Sequence, residues 1–156
     1  IIALIDNNQH RKGSNMADRK ATAIWRGDTQ TGKGTVHFAD YNGQFSYSSR
    51  FEEGTGTNPE ELLGAAHAGC YAMSVSSGLV RAGYTADKIE VTAHIALRRI
   101  DGKTRIVSSH LVCKAVVPGI SNDEFQAIAK AGKEGCPVSV ALAGLEITFE
   151  AELIEG

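Results

Sequence analysis

The period of apolar and polar positions changes along the chain, and each change marks an element. Three short β-type runs come first: Ala21-Thr22-Ala23-Ile24-Trp25, Thr35-Val36-His37-Phe38 and Phe45-Ser46-Tyr47-Ser48. Gly32-Lys33-Gly34 and Asn42-Gly43 separate them, and both read as turns. Together they predict an antiparallel meander. Asn58-Pro59-Glu60-Glu61 then supplies an N-cap, a proline for the first helical position and two carboxylates for the first turn. A helix is predicted from Pro59 to about Arg81, with Gly83 as its C-terminal stop. Two long strands follow, Ile89 to Arg99 and Thr104 to Val117, joined at Asp101-Gly102. Ser121 with Glu124 three residues on is a capping box, so a second helix spans Asn122 to Lys133, closed by Gly135. Pro137 to Ala143 suits a short helix and Leu145 to Leu153 a last strand. The order βββ-α-ββ-α-β predicts an α+β fold of antiparallel sheets.

From Leu62 to Val80 the chain carries no Asp, Glu, Lys or Arg, which raises the question of a membrane span. Gly64, Gly69, Gly78, Ser74, Ser76 and Ser77 argue otherwise. The composition predicts a central helix buried on all sides, with small residues permitting close neighbours. With 156 residues, the chain is one domain's worth and needs no disulfide or metal to fold. Residues 1–15 match no domain start and read as a vector-derived prefix, leaving 16–156 as a single domain. A net charge of −2 with no basic stripe excludes an ordinary nucleic-acid binder, and no polybasic segment marks a membrane surface. Three cysteines are too few for a secreted disulfide scaffold, so free thiols in the cytoplasm are expected.

Several motifs resemble sites. Gly27-Asp28-Thr29-Gln30-Thr31-Gly32-Lys33-Gly34 approaches a phosphate-binding loop, but Gly34 stands where the Mg²⁺-holding Ser or Thr is needed, so it reads as a hairpin turn. His67 and Cys70 share a helix face and could form a thiol–imidazole pair or half a zinc site. The plainer reading is a buried histidine satisfied by a neighbouring polar group. Cys113 lies in a strand and reads as a small apolar residue. Cys70, mid-helix, would be inert if burial alone acted on it. Cys136 precedes Pro137, so it can sit at a helix start, where a thiol is acidified. An arginine such as Arg50 placed beside a buried thiol would favour its thiolate.

The run from Arg50 through Asn58-Pro59-Glu60-Glu61 and Gly64-Ala65-Ala66-His67 to Cys70 resembles the OsmC/Ohr family (osmotically inducible protein C and organic hydroperoxide resistance proteins). So do Val117-Pro118-Gly119-Ile120 and Gly135-Cys136-Pro137-Val138-Ser139, and the resemblance extends from about Ala21 to the C-terminus. The histidine-containing segment is similar to the OsmC branch. Gly69 stands where alanine is common, and Cys113 has no counterpart in the motifs.

The resemblance implies an intertwined homodimer and a thiol-dependent peroxidase that reduces organic hydroperoxides, and H₂O₂ less efficiently. It implies Cys70 as peroxidatic cysteine, Cys136 as resolving cysteine, and Arg50 and Glu60 as the charged pair that supports the thiolate. It implies no metal, flavin or haem, and a dithiol reductant such as a dihydrolipoyl group. Glu60 and Cys70 lie ten residues apart, about 15 Å along a helix, so Glu60 is expected to serve the partner's site. Two other classes fit the same residues: a non-catalytic stress-related binding protein and a Cys–His hydrolase using His67. A resolving thiol is of no use to the hydrolase.

Overall fold

The computed structural model describes residues 18–154, so the reading of residues 1–15 lies outside the described residues. Strands β1 (Thr22–Arg26), β2 (Lys33–Phe38) and β3 (Tyr41–Ser46) form an antiparallel sheet in the order β1-β2-β3. The β1–β2 turn is the expected hairpin and no phosphate cradle. The Asp28 carboxylate accepts the backbone N–H groups of Gln30 and Thr31 at 2.8 and 2.9 Å. These bonds and the Thr31 hydroxyl hold the Asp28 carboxyl at about 2. Asn42-Gly43 is not a turn. It lies inside β3, where Asn42 pairs with His37 and Gly43 with Val36. The chain reverses at Ala39-Asp40, with Ala39 at φ 46°. Tyr47 and Ser48 leave the strand early because Ser46 caps a short helix, α1 (Tyr47–Phe51), through a reciprocal capping box with Ser49.

Helix α2 (Pro59–Arg81) has the predicted bounds, with the Asn58 side chain accepting from the N–H of Glu61. Strands β4 (Lys88–Ile100) and β5 (Lys103–Val116) form the long hairpin through Asp101-Gly102, both at positive φ. Helices α3 (Asn122–Gly135) and α4 (Pro137–Ala141) then carry the chain across to β6 (Glu146–Leu153). This crossover returns β6 parallel to β5, so the second sheet, β4-β5-β6, is mixed and not purely antiparallel as expected.

The core lies between this second sheet and the helices. Tyr71, Val75 and Leu79 of α2 meet Leu111, Cys113 and Ala115 of β5 and Phe125 of α3. Each large side chain buried there stabilises the fold by about 1.5–3 kcal/mol. Gly132 lets α3 approach α2, because a Cβ there would lie 3.0 Å from a Val75 methyl and 3.3 Å from its backbone nitrogen.

Helix α2 is buried on one face in the single chain, not on all sides. Glu60, Gly64, His67, Tyr71, Val75 and Leu79 recur at three- and four-residue steps and are buried. Ala66, Gly69, Met73 and Val80 lie on the opposite face and are exposed, Met73 at 75%. Ile24 and Trp25 of β1 are exposed as well.

Candidate active site

Cys70 and Cys136 come from elements far apart in sequence, and packing brings them together. Cys70 sits midway along α2, next to Tyr71 in the core cluster. Cys136 is the last cap of α3 and the first cap of α4 at once, with φ −68° and ψ 120°. Pro137 enforces that extended backbone by disfavouring the helical region for the residue before it. The two sulfurs lie 2.9 Å apart and hydrogen-bond as free thiols. A disulfide would bring them to about 2.05 Å. Cys70 is half-buried and opens onto a groove of about 530 Å³ lined by Met73, Ser74, Ser77, Arg81, Gly132 and Pro137. Cys136 is fully buried.

Their electrostatic settings differ. Burial raises the Cys70 pKa, and the hydrogen bond and charge of Cys136 raise it further, against a lowering contribution from the Val138 N–H. Burial also pushes Cys136 up, but the Cys70 thiol 2.9 Å away and the nearby polar groups of Ser139 and Val138 outweigh it, so its pKa is lowered. Cys113 lies on β5, fully buried, and burial pushes its thiol up to about 11.

Arg50 and Glu60 form a second cluster away from the thiols. Thr57 donates its N–H to Gln44 O at 2.8 Å, and Asn58 Nδ2 donates to Ser49 O at 3.1 Å. These bonds dock β3 and α1 against the start of α2. The Arg50 guanidinium then grips the Glu60 carboxylate, with Nε 3.2 and 3.1 Å from its two oxygens and Nη2 2.6 Å from Oε1. The pair lines a separate pocket of about 300 Å³ with Ala93, Ile95 and Leu97. Two placements within the single chain bear on the expected site. Arg50 is not beside the Cys70 of its own chain, and Glu60 does not need a second subunit to reach Arg50. The arginine follows the glutamate because α1 is tied to the N-terminal end of α2, ten residues from the thiol.

His67 is fully buried, and both ring nitrogens are engaged. Nδ1 is 2.8 Å from Ser109 Oγ and Nε2 is 2.8 Å from Ser139 Oγ. The imidazole thus bonds serines and not Cys70, which removes the geometry a Cys–His hydrolase needs. Burial lowers its pKa and keeps it neutral. Ser109 and Ser139 were missed in the sequence. Ser139 lies in one of the family motifs, but no local pattern announces either serine's bond to a histidine 42 or 72 residues away.

Residues 52–152 match the family model described as OsmC-like protein. The chain is 42% identical over 138 residues to Peroxiredoxin OsmC of Escherichia coli (strain K12), covering 86% of this chain and 96% of that protein. Solved structures share the fold. An OsmC-like protein of Mycoplasma pneumoniae superposes with a TM-score of 0.69 at 17% identity, covering 88% of this chain and 98% of that one. The organic hydroperoxide resistance protein OhrB of Bacillus subtilis superposes with a TM-score of 0.65 at 23% identity, covering 86% and 98%.

Proposed function

The chain belongs to the OsmC-like protein family, and from that premise we propose that it is a thiol-dependent peroxidase reducing organic hydroperoxides, and less efficiently H₂O₂. The observation that carries the reading is the pair of free thiols, Cys70 and Cys136, with sulfurs 2.9 Å apart at the end of an open groove. The Cys70 thiolate attacks one peroxide oxygen, the O–O bond breaks, and the departing alkoxide takes up a proton to become the alcohol. Cys70 is left as a sulfenic acid. The Cys136 sulfur then displaces hydroxide from it, closing the Cys70–Cys136 disulfide. An external dithiol, such as a dihydrolipoyl group, restores both thiols by exchange.

Cys70 needs help to ionise, since burial and Cys136 both oppose it. We propose that the help comes from a second copy of the chain. In a homodimer, the partner subunit's Arg50, held by the partner subunit's Glu60, faces Cys70 and favours its thiolate. The exposed apolar residues of α2 and β1 support such an assembly, because a face of this kind is costly to leave in water. The free thiols fit a reducing cytoplasm, and none of the described helices is long and apolar enough to cross a membrane.

The test is turnover of cumene hydroperoxide with a lipoyl dithiol system, followed by peptide mapping. The expected result is alcohol formation with a Cys70–Cys136 disulfide, abolished in Cys70→Ser. Absence of peroxide-dependent thiol loss in the wild-type protein would point instead to a binding protein.

A further inference from the structure

The sheet β4-β5-β6 has a second face, turned away from the helices, and its strands bring a cluster together there. Side chains alternate between the two faces along a strand. Ala93 of β4, Leu111 of β5 and Ile147 and Phe149 of β6 pack into the core. Their neighbours His94, His110, Thr148 and Glu150 therefore lie on the outer face. His94 is the direct cross-strand partner of His110, and His110 is the partner of Thr148. The two imidazole centroids lie 6.1 Å apart, with 31° between the ring planes. His110 Nδ1 is 2.8 Å from Thr148 Oγ1, a bond that occupies this nitrogen and fixes the ring. Nε2 is left as the open nitrogen, 3.7 Å from Glu150 Oε1. That separation is too long for a hydrogen bond.

We propose that His94 and His110 form a two-histidine site for a divalent cation of the zinc and copper class, the ions that imidazole nitrogen favours. The site stands apart from the thiols and does not depend on the peroxidase reading. A histidine nitrogen binds zinc at about 2.0–2.1 Å, which puts the ring centre about 3.2 Å from the ion. Two rings on one ion therefore have centres at most about 6.4 Å apart, and the observed 6.1 Å lies within that limit. His94 is exposed, so its ring can turn further toward a tetrahedral angle. His110 supplies Nε2, because Thr148 holds Nδ1, and a ligating histidine is ordinarily oriented by such a bond to its other nitrogen. The Glu150 carboxylate beside Nε2 favours a cation there by its charge. Among the described residues, no three His, Cys, Asp or Glu side chains are arranged to hold a metal. The two imidazoles are thus the protein's own ligands, and water completes the shell. Binding needs both ligating nitrogens unprotonated, so it competes with protons. A cation held there ties β4 to β5 across directly opposed positions.

Zinc also binds thiolates, so the test uses the full chain carrying Cys70→Ser and Cys136→Ser. Zinc sulfate is titrated into it and binding is followed by isothermal calorimetry. His94→Gln and His110→Gln, added singly, should each weaken zinc binding at least about tenfold, and Thr148→Val, which removes the orienting hydroxyl, about tenfold as well. A second measurement needs no histidine substitution. The chain is labelled with diethyl pyrocarbonate with and without zinc, and the labelled histidines are mapped by peptide mass spectrometry. Zinc should protect His94 and His110 together and leave His37, exposed on β2, as reactive as before. Zinc affinity unchanged in either histidine variant, or labelling of His94 and His110 indifferent to zinc, would overturn the inference. The labelling decides the matter if a variant does not fold.

Discussion

The Arg50 guanidinium closes on the Glu60 carboxylate within one chain, Nη2 to Oε1 at 2.6 Å, with the Glu60 side chain only 11% exposed. The two groups therefore travel as a unit. Whatever thiol the arginine serves, the glutamate comes from the same subunit.

That linkage gives a complementation test. If both residues serve the partner's Cys70, a heterodimer of Arg50→Ala and Glu60→Ala chains has no intact site, and mixing the two should restore nothing. A heterodimer of Arg50→Ala and Cys70→Ser chains keeps one intact site and should regain clear activity over either parent. Activity regained in the first mixture, with heterodimer shown by native mass spectrometry, would mean that arginine and glutamate reach a site from different subunits.

Oxidation should stiffen the protein without reshaping it. The sulfurs need to move only about 0.9 Å from their 2.9 Å separation to bond. The link spans 66 residues, for which the chain-entropy model gives about 4 kcal/mol of stabilisation. Denaturant unfolding of peroxide-treated and dithiol-treated protein should differ by up to this amount. Cys113, buried with a raised pKa, should stay reduced and resist alkylation until the protein unfolds.

Acid should destabilise the fold through His67. Its folded pKa lies below the unfolded value of 6.5, so the unfolded state takes up a proton first as pH falls. The stability contributed by neutral burial is whole above pH 6.5 and declines below it, down to the folded pKa. Urea midpoints measured between pH 7.5 and 5 should fall in the wild type and fall less steeply in His67→Gln.

Two glycines on neighbouring helices should respond in opposite directions. Within the single chain Gly69 has nothing within 4 Å of where a Cβ would stand, so Gly69→Ala should stabilise α2 by up to about 1 kcal/mol wherever the partner subunit leaves that space open. At Gly132 the added methyl meets the side chain and backbone of Val75, and Gly132→Ala should cost about 1–3 kcal/mol. Thermal unfolding of the two variants checks both signs.

Local chemistry made α2 legible in the sequence: Asn58 and Pro59 set its start, and the residues around Gly83 its end. The long hairpin was equally plain from Asp101-Gly102. Asn42-Gly43 misled because a strong turn pair can sit in a strand when the register is fixed elsewhere, here by the reversal at Ala39-Asp40. The parallel return of β6 was hidden because pairing partners are set by the crossover through α3 and α4, not by the strand's own alternation. Within the site, the motifs named Cys70 and Cys136, and packing brought them together. The position of Arg50 depended on how α1 docks, and the partners of His67 lie on β5 and α4. Neither is encoded near the residue concerned.

Cys136 ends one helix and begins the next, and Pro137 is the reason the two are not one. In an unbroken helix the N–H groups of Val138 and Ser139 would be tied to the carbonyls of Glu134 and Gly135, four residues back. The proline removes its own donor and bars its predecessor from the helical region, so the ladder stops and starts again, its first bond now running from Val140 to Cys136 O at 3.0 Å. The two released N–H groups stand at the open start of α4, where they lower the Cys136 pKa although neither closes a cap hydrogen bond on the sulfur. Healing the break with Pro137→Ala would let the ladder run through and take those donors back. Part of what lowers the Cys136 pKa is thus an interruption of the main chain, one imino acid wide.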